Sequence, residues 1–302
     1  TGIINMVTKD GGDNFEGSLN VYSGDHTTSD TIFSDLDSYS IDNDYSISGN
    51  VSGPIIPGLI TFYSSGRINQ SSGWLNGLHT FTMYGDTLFQ DYNNNDYRDN
   101  NEPLKNPSYR SLNWYNNWST QNKITFRLRP MTRLKINTIF NSGISQGYDH
   151  FRQMSQDGRN KNHDSGAFLG MNLSHSFSPL SFVDLYVTEY TRTFESYLFA
   201  DPMDTRYKTP DSLYWAHIDG TLPEEIINKY GSEVNYFPQY TLSRWGVDIN
   251  RFKRETINRS IKMDATSQIN KYNLIKFGFD FTNYKLSLDT YALLDSSQAD
   301  QI

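Results

Sequence analysis

The sequence predicts an all-β fold: an antiparallel transmembrane β-barrel, incomplete, laid out as a meander of about nine strands with long extracellular loops. Three observations predict it. Nine segments alternate apolar and polar residues with a period of two, and the connections between them alternate between long and short. The composition joins 36% hydrophobic residues and a mean hydropathy of -0.64 to 15% aromatic residues, with 21 Tyr and 18 Phe. Low hydropathy alone suits a soluble or disordered chain, but the aromatic content argues against disorder. A barrel with a polar lumen, an apolar exterior and aromatic girdles accounts for both. No stretch approaches ~18 consecutive apolar residues, which excludes an ordinary transmembrane helix but not strands, which cross in about 9–11 residues.

The first strand, 15–24, alternates strictly from Phe15 to Tyr22. The second and third, 43–54 and 59–70, flank the turn Ile55-Ile56-Pro57-Gly58. The fourth, 118–129, sets Ile124, Phe126 and Leu128 against Thr125, Arg127 and Arg129; Pro130-Met131 then turns the chain into the fifth, 132–142. The sixth and seventh, 164–177 and 180–193, meet at Ser178-Pro179. The eighth, 256–270, places Ile257, Ile261, Met263, Ala265 and Ile269 opposite Asn258, Ser260, Lys262, Asp264, Thr266 and Gln268. After a turn around Lys271-Tyr272 the ninth, 273–287, does the same with Ile275, Phe277, Phe279 and Phe281 against Lys276, Gly278, Asp280 and Thr282. A one-residue slip in any of these would carry charges into lipid.

Four long connections, 25–42, 71–117, 143–163 and 194–255, are rich in Asn, Asp, Ser and Gly. Compact soluble domains rarely carry loops so long. Outer-membrane barrels combine short periplasmic turns with long extracellular loops, in this order. Within the last of them, Thr221 to Gly231 predicts a short helix, with a capping-box start at Thr221 and Glu224, an early Pro223 and a terminal glycine. Single-chain bacterial barrels have an even number of strands, so nine are expected to be part of a larger barrel, and plugged transporters have about 22. Thr1 follows no charged and apolar leader, so the chain is expected to begin inside a longer protein. The free edges of the first and ninth strands are expected to drive aggregation outside detergent or denaturant.

The absence of cysteine fits assembly through an oxidising periplasm and excludes thiol chemistry. A net charge of -8 and a pI near 5.2, without a basic cluster, exclude a nucleic-acid partner.

The N-terminal junction carries the functional signal. Gly2-Ile3-Ile4-Asn5-Met6-Val7-Thr8-Lys9 is a short apolar strand, Gly11-Gly12 breaks it, and Phe15-Glu16-Gly17-Ser18 opens the first alternating strand. This junction resembles the plug-to-barrel boundary of TonB-dependent outer-membrane receptors. Asn50 to Ile56 followed by Leu59 to Tyr63, with its Ser-Gly-Pro-Ile turn, resembles that family's second and third barrel strands. The resemblance implies that 1–12 is the last plug strand and linker, and 13–302 the N-terminal portion of the barrel. It also implies a receptor that takes up a nutrient, whether metal chelate, oligosaccharide or peptide. Its partners would be outer-membrane lipid, an extracellular small ligand and an inner-membrane energy-transducing TonB complex acting through an upstream region. No enzymatic activity is implied. The alternative is an outer-membrane barrel that binds or adheres without energised transport, whose sequence would look the same from residue 13 onward.

One segment has the spacing of a cation loop. Asp91, Asn93, Asn95, Asp99 and Glu102 put oxygens at positions 1, 3, 5, 9 and 12 of twelve residues, and the carbonyl of Tyr97 supplies position 7. Calcium takes 6 to 8 such hard oxygen ligands. Asp96 replaces the usual glycine at position 6 and Pro103 leaves no room for a flanking helix, so the pattern is closer to a free-standing extracellular loop than to an EF-hand. The competing reading is a solvated Asn/Asp-rich loop tip.

His163-Asp164-Ser165-Gly166 contains triad residue types, but strand neighbours point to opposite faces and no G-x-S-x-G elbow occurs. The six histidines show no metal-ligand spacing. Trp74, Trp114, Tyr115, Trp118, Tyr214 and Trp215 sit in or beside the long loops, where they could stack on a ligand or form an interfacial girdle.

Overall fold

The computed structural model describes residues 9–79, 108–208 and 247–293. Its strands are β1 (Glu16–Gly24), β2 (Asp44–Ile56), β3 (Ile60–Ser71), β4 (Asn76–His79), β5 (Ser108–Ser111), β6 (Trp114–Arg129), β7 (Thr132–Gln146), β8 (Lys161–Ser178), β9 (Ser181–Tyr197), β10 (Asn250–Gln268) and β11 (Leu274–Ala292). Nine of them form one antiparallel sheet in the order β1-β2-β3-β6-β7-β8-β9-β10-β11. Every neighbour in space is the next long strand in sequence, as in a meander. The sheet is open, with β1 and β11 at its edges.

All nine predicted strands are present, and the differences lie at their ends. β6 starts at Trp114, β7 runs on to Gln146 and β10 starts at Asn250, each beyond the region of clean alternation. Around Arg251 to Thr256 both faces carry polar residues, so no period of two marks that stretch. β4 and β5 form a separate ribbon of four residues each, too short for any periodicity to show.

Ile55 and Ile56 belong to β2, not to the turn. The β1 ladder stops at Ser52, so Pro54, which has no N–H to donate, lies beyond it, beside a bulge against β3. Gly58 then adopts φ 72°, the left-handed conformation that the tight turn back to β3 demands.

The short turns all lie at one end of the sheet and the long connections at the other. β1 has 9 residues and β10 and β11 have 19 each. At about 3.3 Å per residue the longest strands rise about 60 Å, twice the ~30 Å of a hydrocarbon core. Among the described residues no second layer covers the sheet, and the buried apolar residues include a cluster at the loop end, Leu198, Phe199, Tyr207 and Val247, packed with Ile249 and Leu293. Tyr207 ties this cluster by donating its hydroxyl to the Phe199 carbonyl at 3.0 Å, and Arg251 donates to the same carbonyl at 2.6 Å.

Candidate functional site

The ladder registers sort the side chains of the sheet into two faces of opposite character. One face carries Leu19 and Val21 on β1, Ile47 and Val51 on β2, and Phe62 and Ile68 on β3. It continues through Ile124 and Phe126 paired with Ile136 and Leu134, then Met171, Leu173, Leu185 and Val187. It ends with Ile261, Met263 and Ala265 opposite Phe281, Phe279 and Phe277. Phe277, Phe279 and Phe281 are 57%, 51% and 57% exposed, although nothing in the fold requires aromatic rings at a water surface.

Charge follows the same partition. On β1–β3, β6 and β7, Glu16, Asp44, Arg67, Lys123, Arg127, Arg133 and Lys135 all stand on the second face. The apolar face gains charges only in the loop-side half of β8–β11, where Arg259 pairs with Glu189 at 2.7 Å and Lys253 with Glu195 at 3.2 Å. From that level to the turns it carries no Asp, Glu, Lys or Arg within the paired ladders of β8–β11. Its main polar patch, Ser64, Thr120, Asn122 and Thr138, is linked internally: Ser64 donates to Asn122 at 2.6 Å, and Asn122 donates to Thr138 at 3.4 Å. Groups that find partners beside them make no demand on water.

The second face is wet and networked. Ser46 donates to Asn69 at 2.7 Å, and Asn69 donates to Asn117 at 2.9 Å. Asp164 receives Arg192 Nε at 3.0 Å and Nη2 at 2.5 Å, a two-pronged pair. Two adjoining hollows of about 330 and 290 Å³ lie along this face, sharing Ser119.

The N-terminal segment lies on this polar face, near the turn end. Asp10 bridges Lys123 and Lys135, the latter at 2.8 Å, and Asp13 accepts from Arg127 at 3.0 Å. Burial opposes ionisation of Asp10, but the two ammonium groups outweigh it and hold the carboxyl below the ordinary aspartate value. Beneath the segment sit four enclosed polar side chains of the sheet: Ser52, Thr61, Lys123 and Thr125 are each under 7% exposed. Gly11 permits the approach, because a Cβ there would stand 2.2 Å from the carbonyl oxygen of Phe62.

At the loop end, His79 and Arg110 converge on Asp157, with Nε2 at 3.0 Å and Nη1 at 2.7 Å. His79 is 2% exposed, and its Nε2 meets Asp157 outside hydrogen-bond alignment. Burial raises the Asp157 carboxyl, while His79, Arg110 and Lys161 together pull it below its usual range. The three tie β4 and β5 to the segment before β8.

Several sequence expectations fall outside the described residues: the plug-like strand 1–8, the cation loop with Asp91, Asn93, Asn95, Tyr97, Asp99 and Glu102, the helix at 221–231, and Tyr214 and Trp215. Among the described residues no group of three or more His, Asp or Glu gathers as a metal site. His163 and Asp164 do stand on opposite faces: His163 stacks on Tyr197 at 4.3 Å, whereas Asp164 pairs with Arg192. Trp74 meets Phe33 edge-on in the loops, Trp114 donates to Gln146 at 3.3 Å, and Trp118 is exposed on the apolar face. Sequence reading missed the Asp10 bridge, since its lysines lie 113 and 125 positions away; only the strand register brings them to one spot. No protein-family model, curated protein or solved structure matches this chain.

Proposed function

We propose that this chain is part of the wall of a TonB-dependent outer-membrane receptor, in which the apolar face meets lipid and the polar face lines the lumen. The observation that carries the reading is the partition of charge between the two faces, with the N-terminal segment clamped to the polar one. A membrane strand must keep its lipid side uncharged through the hydrocarbon and satisfy its polar groups internally. Both conditions hold on the apolar face below Arg259. A plug enters a barrel from the lumen side, and the segment that resembles the plug linker sits on the face that would be the lumen. In this arrangement the short turns face the periplasm and the long loops face the exterior. The complete receptor would bind a small nutrient outside and import it when an inner-membrane energy-transducing partner acts on the plug.

An adhesive barrel without energised transport has no need of an ion-paired inner segment, so transport is the better reading of Asp10, Asp13 and their partners. In the outer loop between β4 and β5, 91–102 would take calcium as a stiffener; addition of a chelator is then expected to raise its proteolysis, and an unchanged digest would remove the site.

The membrane reading is tested with Phe279→Trp in a background whose native tryptophans are replaced by phenylalanine, inserted into vesicles of brominated phospholipid. Strong quenching is expected there, and weak quenching for a variant keeping only Trp114. Equal quenching of the two would overturn the placement.

A further inference from the structure

The larger hollow on the polar face has the chemistry of a subsite for one particular class of ligand. It lies where β6, β7, β8 and β9 run side by side, toward the loop end. Gly143 lines it, and Gly166 lies under the side chain of Asn141, which also lines it. Asn117, Gly143, Asp164 and Phe194 are successive partners across the four strands, and Asn141 pairs with Gly166 in the row below. A Cβ on Gly143 would stand 3.0 Å from that of Asn117, and one on Gly166 would meet the Asn141 carbonyl oxygen at 2.5 Å. Any larger residue at either position would fill the space the amides now face.

The walls are neutral and hydrogen-bonding. Asp164, the carboxylate of the hollow, is compensated by the two-pronged contact from Arg192. Asn141 and Asn162 each carry a donor and an acceptor on one planar group, and neither has a side-chain partner among the described residues that would consume them. Phe194 and Tyr115 add aromatic surface at the rim. An anionic chelate would find no uncompensated cation there. Paired donors and acceptors beside an aromatic ring instead suit adjacent hydroxyls on a ring with an apolar face.

We infer that the Gly143/Gly166 hollow binds a neutral, polyhydroxylated ring, one sugar unit of an oligosaccharide. The inference rests on the receptor reading, since it takes the polar face as the lumen a ligand passes through.

The test is a titration of the full chain, folded in detergent micelles, with neutral gluco-, xylo-, manno- and chito-oligosaccharides and with anionic galacturonate oligomers, following tryptophan emission. At least one neutral series is expected to bind. Asn141→Leu and Gly143→Val should each weaken it at least tenfold, while Lys276→Gln, at the turn end of β11, should leave it unchanged. Asn141→Leu removes hydrogen bonding without crowding the backbone, so it still reports if Gly143→Val fails to fold. Binding of no neutral series, preference for the anionic series, or indifference to Asn141→Leu would each overturn the assignment. The bromolipid experiment separates the two levels: protein that quenches as a membrane strand but binds no sugar refutes the subsite alone.

Discussion

The two halves of the β10–β11 hairpin share one unbroken ladder of 19 paired residues, yet their outward faces are opposite in kind. Toward the turn, that face holds Ile261, Met263, Phe277, Phe279 and Phe281; toward the loops it holds Arg251, Lys253, Glu255, Lys285 and Asp289. On the opposite face the order reverses along β11, with Lys276 and Asp280 below and Tyr284, Leu286 and Leu288 above, while β10 stays polar from Asp264 and Lys262 up to Arg254. Backbone pairing is the same throughout, so the ladder does not select these side chains. Their surroundings do, and those surroundings change at the level of Arg259 and Asn283. A strand that leaves hydrocarbon for water there accounts for both the band and its sharp edge.

The comparison breaks most readily at its centre. Phe279→Arg places a charge in the middle of the apolar half, where arginine costs about 2–4 kcal/mol in a membrane barrel. The same residue at Asp289→Arg, 10 positions on and in the polar half, is expected to cost no more than about 1 kcal/mol. Urea unfolding from lipid vesicles measures both. Equal costs would mean that no solvent boundary crosses the hairpin, and the membrane reading would fall with it.

A second contrast sets the covered part of the polar face against the bare remainder. Lys123, 5% exposed, has one of its partners in Asp10. Asp10→Ala removes a charge-assisted bond, worth about 1.5–3 kcal/mol, and leaves the lysine enclosed. The expected result is faster hydrogen exchange through 9–14 with little change in the band. Acid should do the same. The Asp10 carboxyl is held below its ordinary value of 3.8, so its contribution is complete above that pH and is lost as the pH falls through the lowered value. Asp157 follows the same sign at the loop end, so the β4–β5 ribbon should loosen in the same acidic window. Exchange at both places that stayed constant down to pH 2 would contradict the ion pairing described.

How much of this was legible in the sequence depends on the range of the cause. Alternation in 273–287 shows directly because each residue reports its own face, and all nine long strands were readable that way. The order of short turns and long loops was readable too, since proline and glycine mark the turns locally. Arg259 falls on the same side as Ile257 and Ile261, and an apolar tally of that strand passes over it; only its register with Glu189 reveals a paired boundary. The hollow at Gly143 and Gly166 was invisible for the same reason. Glycine in a strand reads as a weak point, and only the neighbouring ladders turn it into space facing Asn117 and Asn141. Asp10, too, was an ordinary loop acid until the meander carried β6 and β7 beneath it.

The smallest effect locates the boundary itself. Arg259 and Glu189 are 65% and 48% exposed and make one close contact of 2.7 Å on the outward face. If water reaches this level, Glu189→Gln removes an exposed ion pair, worth about 0–1 kcal/mol, and the loss shrinks further as salt screens the charges. If hydrocarbon reaches it, the same change strands an arginine in lipid, and the cost approaches the 2–4 kcal/mol of Phe279→Arg, insensitive to salt. The expected outcome is the first. The apolar run from Phe281 back to Ile275 covers about 20 Å along the strand at 3.3 Å per residue, and Ile269 and Tyr272 in the turn extend it toward the ~25 Å band of an outer-membrane barrel. A large, salt-independent loss at Glu189→Gln would push the hydrocarbon edge toward Lys253 and lengthen the band beyond that thickness, with Arg259 and Lys285 inside it.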